Sequence, residues 1–217
     1  MKIAPSVLTA DFTNLKNEID SISDADLIHI DIMDGNFVPN ISFGPAITKQ
    51  ISKVSNKNLD VHLMVLDPLN WIDEFSLENV EYITVHFESN NFLEALTKIR
   101  KNGKKVGLTI KPETSVSLIS KYLKDVDLVL IMSVKPGFGG QKFIPESLNK
   151  VKELVDLREK NNYKYVIEID GGINGETAPL VKKAGVDIAV VGSYLFNKKE
   201  RNKEMEKLRW KSLFFQI

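Results

Sequence analysis

The stretch Asp26-Leu27-Ile28-His29-Ile30-Asp31-Ile32-Met33-Asp34 decides the fold. Side chains along a strand point alternately to its two faces. On that reading Ile28, Ile30 and Ile32 share one face, and His29, Asp31 and Met33 share the other. Where helices cover a sheet, they cover its aliphatic face, so His29 and Asp31 turn away from the helices. A histidine and a carboxylate buried there are costly unless they are paired or bind a metal. Two further segments repeat the division. Leu59, Val61, Leu63 and Val65 oppose Asp60, His62 and Met64, and Ile167 and Ile169 oppose Glu168 and Asp170.

Outward from these segments, short apolar runs alternate with longer amphipathic ones along the chain. The runs are Lys2–Leu8, Asp26–Met33, Leu59–Val65, Tyr82–Phe87, Lys105–Ile110, Leu128–Val134, Tyr165–Asp170 and Ile188–Gly192. Most are rich in Val, Ile and Leu, as strands are. Between them Phe12, Leu15, Ile19 and Ile22 keep helical spacing, as do Phe92, Leu96 and Ile99, and Leu148, Val151, Leu154 and Leu157. Strands alternating with helices imply a parallel sheet, and eight such units in 217 residues predict a (β/α)8 TIM barrel rather than an open doubly wound sheet. No linker or low-complexity tract interrupts the pattern, so residues 1–217 read as one barrel domain. The mixed charges of Asn197–Lys211 predict a solvated helix, and Trp210, Leu213, Phe214 and Phe215 are expected to pack on the barrel or on a partner subunit.

Composition limits the chemistry. Lys+Arg and Asp+Glu each number 29, which gives no global field for nucleic acid or an anionic membrane, so neither is expected as a partner. An anionic ligand must be held by local groups. Cysteine is absent, which excludes disulfides and leaves any metal to histidine and carboxylate. The opening Met1-Lys2-Ile3-Ala4-Pro5-Ser6 lacks the apolar run of a secretory signal, and no stretch approaches the ~18 apolar residues of a membrane span. A cytoplasmic location is the expectation.

Three strands thus direct His29, Asp31, His62 and Asp170 toward one axis. Asp170 stands at the C-terminal end of its strand, the end where barrels carry their chemistry. Two imidazoles and two carboxylates suit one divalent ion, Zn, Fe, Co or Mn. His86, on the same face as Thr84, is expected to support the site or the core rather than to be a ligand. Met33, Met64 and Met132 fall on inward faces near strand ends, where they either fill the core or line the site. Three glycine clusters follow the late strands: Gly137-Phe138-Gly139-Gly140, Gly171-Gly172 and Gly192-Ser193. Glycine lets backbone N–H groups approach an anion, and loops after the last barrel strands commonly grip phosphate.

Several of these segments carry a resemblance. Ile3-Ala4-Pro5-Ser6, His29–Asn40, Asp60–Val65, Met132–Phe143, Glu168–Ile173 and Val191–Ser193 closely resemble ribulose-phosphate 3-epimerases, in family order and spacing. The resemblance implies a metal-dependent isomerase of the pentose phosphate pathway that interconverts D-ribulose 5-phosphate and D-xylulose 5-phosphate through a metal-stabilised enediolate. It implies His29, Asp31, His62 and Asp170 as ligands and Asp31 and Asp170 as the acid/base pair. It also implies contacts to the phosphorylated ketose from Ser6, His62, Asp170 and the glycine clusters with Ser193, and a homo-oligomer, dimer or hexamer. Departures are confined to turns at Ser23–Asp26 and Glu78–Val80 and to Tyr194-Leu195-Phe196. A sister group acting on D-allulose 6-phosphate is close in sequence. Phosphosugar decarboxylases on similar barrels carry Asp-x-Lys-x-x-Asp, where this chain has Asp60-Val61-His62. A non-catalytic phosphosugar-binding barrel should have lost one of the four donors, and all four are present.

Overall fold

A computed structural model describes residues 1–210. The packing expected of Leu213, Phe214, Phe215 and the Trp210 side chain lies outside the described residues. Eight parallel strands form one sheet: β1 (Lys2–Pro5), β2 (Ile28–Met33), β3 (Leu59–Met64), β4 (Val80–His86), β5 (Lys105–Ile110), β6 (Leu128–Met132), β7 (Val166–Asp170) and β8 (Ile188–Val191). Each pairs with its sequence neighbour from β2 to β8, and β8 then pairs with β1. The result is the expected TIM barrel, nearly closed.

The last seam is stitched differently. Between β1 and β2 there is one bridge, Ser6 to His29, and the Asp26 N–H donates to the Ile3 carbonyl at 3.0 Å. The Asp26 carboxylate stands in for a further strand partner by accepting from Ile3 N at 2.8 Å. Arg209 holds that same oxygen at 2.8 Å.

Helices α1 (Leu15–Asp20), α2 (Pro45–Val54), α3 (Ile72–Phe75), α4 (Phe92–Lys101), α5 (Ser147–Asn161), α6 (Thr177–Ala184), α7 (Ser193–Phe196) and α8 (Arg201–Trp210) surround the strands. Pro45 opens α2 at a position where its missing N–H is not needed, and Gly185 closes α6 in the left-handed region. Between β5 and β6 the crossover is made of 3₁₀ turns, Val116–Leu118 and Ser120–Asp125. Helix α8 is solvated on one side, but it buries Met205 and Leu208. Arg201 also ties it to Glu18 at 2.8 Å.

Several strands stop short of their sequence patterns because a polar side chain turns the backbone. The first run reads to Leu8, yet β1 ends at Pro5, because Ser6 accepts from Leu8 N and opens a 3₁₀ turn at Val7–Thr9. The sixth reads to Val134, yet β6 ends at Met132, where Ser133 Oγ donates to the carbonyls of Asp170 at 2.9 Å and Gly171 at 2.7 Å. Helical spacing from Phe12 to Ile22 becomes a 3₁₀ turn capped by Asp11, followed by the short α1. Phe12 is left partly exposed against Phe43.

The alternation sorts the core into two layers. Ile28, Ile30, Ile32, Val61, Leu63, Ile83, Val129 and Ile167 pack outward under the helices. Inside the barrel, β1, β6 and β8 supply apolar groups, namely Ala4, Leu128, Leu130, Met132, Ile188 and Val190. Strands β2 to β5 and β7 supply His29, Asp31, Asp60, His62, Thr84, His86, Thr109 and Glu168, all buried. The polar half of the interior is where the site forms.

Candidate metal and substrate site

His29 and Asp31 reach the interior from β2, His62 from β3 and Asp170 from the end of β7. One donor atom of each lies within 4.8 Å of the others, so the group could hold a metal ion. His29 directs Nδ1 to the Asp60 carboxylate at 2.6 Å, which assigns the proton to that nitrogen. Its Nε2 then faces the site with no hydrogen-bond partner, 3.4 Å from Asp31 Oδ1. His62 Nδ1 lies 3.2 Å from the same Asp31 oxygen, and His62 Nε2 lies 2.9 Å from His86 Nε2. Lone pairs therefore converge from several sides. Such an arrangement requires a cation or a shared proton at its centre, and imidazole and carboxylate donors suit a divalent ion.

The electrostatics follow from the geometry. Burial opposes ionisation of Asp31, but His29 and His62 outweigh it and hold the carboxyl well below the usual range. Burial also opposes a charge on His29, and the Asp31 and Asp60 carboxylates outweigh it, so His29 holds a proton tightly when no metal replaces it. Asp170 is pushed up to about 7, first by burial and then by the Asp31 charge. Burial, then the neighbouring Asp60, raises Glu168 well above the ordinary range. The two carboxyls that face the pocket therefore hold protons very differently.

Above these donors lies a pocket lined by Ser6, Asp31, Met33, Met64, Met132 and Asp170 near the strand ends. Gly137, Phe138, Gly139, Gly140, Gly171, Gly172, Gly192 and Ser193 form its mouth. His29 and His62 sit behind Asp31 and do not line this pocket. Ser6 Oγ donates to Asp31 Oδ2 at 2.5 Å, which leaves Asp31 Oδ1 for the two imidazoles. The three methionines are almost fully buried, and Met33 and Met64 pack with Val38. Glycine is required at Gly172, where φ is +66° and a Cβ would lie 2.5 Å from Phe143 N. The loop after β6 is held by Gln141 Nε2, which donates to the carbonyls of Lys135 and Phe138, and by Asn40, which donates to Gly137 O at 2.7 Å.

Three groups at the site were not singled out by sequence pattern. Asp60, the anchor of His29, was visible as an inward residue, but its partner follows from the β2–β3 register. Glu88, 3.3 Å from His86 Nδ1, lies beyond the strand end, where alternation says nothing. The Thr9 hydroxyl lines the mouth with no hydrogen-bond partner, and it ends the Val7–Thr9 turn, whose first two residues the sequence pattern read as strand.

The fold and the site together define a TIM-barrel enzyme with a buried His/Asp donor cluster beneath a glycine-lined mouth. The profile of the Ribulose-phosphate 3 epimerase family matches residues 2–196, and the chain belongs to that family and is an epimerase. It is 44% identical over 213 residues to the ribulose-phosphate 3-epimerase of Bacillus subtilis, covering 96% of this chain and 98% of that one. It is 42% identical over 212 residues to that of Methanocaldococcus jannaschii, covering 96% and 90%. Among solved structures, a 3-hexulose-6-phosphate synthase from Salmonella typhimurium superposes with a TM-score of 0.67 at 17% identity, covering 96% of each chain. KGPDC from Streptococcus mutans superposes with 0.69 at 10%, covering 96% of this chain and 95% of that one. At such identities these two speak for the fold alone. No helix among the described residues is long and apolar enough to cross a membrane.

Proposed function

We propose that the chain interconverts D-ribulose 5-phosphate and D-xylulose 5-phosphate by inverting C3, as a step of the pentose phosphate pathway, with His29, Asp31, His62 and Asp170 holding one divalent ion. The observation that carries this reading is the convergence of Asp31 from β2 and Asp170 from β7 on one pocket with pKa values driven apart. Inversion requires a proton to leave one face of C3 and another to arrive on the opposite face. A substrate lying across the barrel mouth has one carboxyl on each side, so Asp31 as carboxylate removes the proton in one direction while Asp170 supplies the other. The roles exchange in the reverse direction. A divalent ion bound here, whether Zn, Fe, Co or Mn, supplies a Lewis acid for the negative charge that develops on the ketose oxygens.

The remaining residues position the substrate. The glycine loops after β6, β7 and β8 grip the phosphate through backbone N–H groups, which needs no cluster of Lys or Arg in a chain of zero net charge. Ser6 orients Asp31 through its 2.5 Å hydrogen bond. Met33, Met64 and Met132 give the reacting carbons a dry, polarisable wall without competing hydrogen-bond donors.

The test is turnover of D-ribulose 5-phosphate by metal-stripped protein reloaded with each ion, with D-allulose 6-phosphate in parallel. Ion-dependent formation of xylulose 5-phosphate is the expected result, and activity confined to the hexose would move the substrate to the longer sugar. Asp31→Asn and Asp170→Asn should each abolish turnover in a folded protein. Near-normal rates from Asp170→Asn would refute its role.

A further inference from the structure

We propose that Glu88 is a positioning residue: acting through His86, it fixes the tautomer of His62 and presents His62 Nδ1 to the four-donor centre as a bare lone pair. The proposal rests on the metal-centre reading above and extends it to a residue outside the pocket.

The argument is a count of protons. Glu88 Oε1 accepts from the Lys111 N–H at 2.9 Å and from Thr114 Oγ1 at 2.5 Å. The backbone N–H can only donate, so this end of the carboxylate is committed as an acceptor. Oε2 is left for His86 Nδ1 at 3.3 Å. A carboxylate oxygen offers only lone pairs, so Nδ1 of His86 must carry the hydrogen. A neutral imidazole has a single N–H, and His86 Nε2 is then an acceptor. It lies 2.9 Å from His62 Nε2, which must donate. With an ion in the centre, the one proton of His62 is thus spent on the side away from it, and the Nδ1 lone pair, 3.2 Å from Asp31 Oδ1, is free for the ion. Without the ion, Asp31 Oδ1 can only accept, and a hydrogen on Nδ1 takes the ion's place.

The rings cannot readily turn to escape this order. His62 and His86 are fully buried and stacked, with centroids 5.0 Å apart and planes at 29°. Phe37 packs on His86 at 4.6 Å, and Lys111 Nζ sits 4.0 Å from the Phe37 ring centroid. On the other side of the centre, Asp60 acts on His29 directly. On the His62 side, the same instruction arrives from a carboxylate one imidazole further away.

Glu88→Gln separates this role from packing, because it keeps the shape and reverses one polarity. The amide oxygen stays with its two donors, Lys111 N and Thr114, and the NH2 then faces His86 Nδ1. That reverses the preferred order, placing a hydrogen on His86 Nε2 and on His62 Nδ1. Imidazole tautomers would be read by NMR on 15N-histidine-labelled, Zn²⁺-loaded protein, and affinity by competition of Zn²⁺ or Mn²⁺ against a chelator. The wild type should show hydrogen on His62 Nε2 and on His86 Nδ1. Glu88→Gln should displace the hydrogen from His86 Nδ1 and weaken the ion by about 10- to 100-fold, with an unfolding temperature near that of the wild type. A wild-type His62 protonated on Nδ1, or a variant with unchanged tautomer or ion affinity within about twofold, would overturn the proposal. A wild type that binds neither ion in the chelator competition would instead remove the metal-centre reading on which the proposal rests.

Discussion

Replacing Gly171 by alanine tests how tightly the end of β7 is built, and Gly103→Ala supplies its internal reference. Both glycines have positive φ, +123° at Gly171 and +74° at Gly103. At Gly103 an added Cβ meets nothing within 4 Å, so alanine there adds backbone strain alone, about 1–2 kcal/mol. At Gly171 the Cβ would lie 2.5 and 2.7 Å from the Val134 methyl carbons and 2.9 Å from Val134 N. Strain of about 1–3 kcal/mol is then joined by overpacking of about 1–3 kcal/mol, for a total of about 2–6 kcal/mol. That is a large share of the 5–15 kcal/mol typical of a folded domain. Val134→Ala in the same chain would relieve the two methyl contacts but not the backbone one, so recovery should be partial. Urea unfolding with linear extrapolation measures all three proteins. The displaced backbone also carries Asp170, whose carbonyl is held by Ser133 N at 2.8 Å, and a shift near 1 Å lowers kcat/KM about 100-fold. A Gly171→Ala protein no less stable than Gly103→Ala, with full kcat/KM, would refute the reasoning.

Further expectations concern charge. Because Asp170 holds its proton up to about pH 7 and, as the ligand proposed above, must be ionised to bind, apparent ion affinity should fall by about tenfold or more per pH unit below about 7; a flat profile in chelator competition would contradict this. The native pKa of Asp170 lies above its unfolded value of about 3.9, so its contribution to stability is full below that value and is lost as the pH rises to about 7. Metal-free Asp170→Asn should therefore gain stability relative to the wild type across that window. Burial lowers His62, and His86 to about 4, which acts in the opposite sense, but these groups are common to both proteins and drop out of the difference. Asp60→Asn removes the charge that His29 Nδ1 meets at 2.6 Å and should weaken the ion by about 10- to 100-fold, read by the same competition. Ser133→Ala leaves the Asp170 and Gly171 carbonyls one donor short and should destabilise by about 1–3 kcal/mol in urea.

The inward set His29, Asp31, His62 and Asp170 was legible because side-chain direction on a strand is a local property, fixed by alternation within a few residues. The strand count was legible for the same reason. What alternation does not encode is partnership between strands. His29 meets Asp60 because β2 and β3 pair in that register, and Glu88 meets Lys111 N because the segment after β4 runs beside the end of β5. Strand ends at Ser6 and Ser133 were missed because a hydroxyl there competes with the ladder for backbone groups. The crossover after β5 lacks the helix that its neighbours have, as 3₁₀ turns suffice to bury Val116 and Leu123 there.

The sparse seam between β1 and β2 has a mechanical meaning. Its one strand bridge joins Ser6 to His29, and Ser6 also holds Asp31. The clasp that shuts the cylinder and the edge of the candidate pocket therefore meet in one residue, Ser6. An occupant held by Asp31 would brace the β2 side of the clasp through the Ser6–Asp31 bond, while Asp26, with its bonds to Ile3 and Arg209, fastens the opposite end of the line. Amide hydrogens flanking this line should exchange with solvent sooner than those of the other seven strand junctions, and filling the site should slow them most.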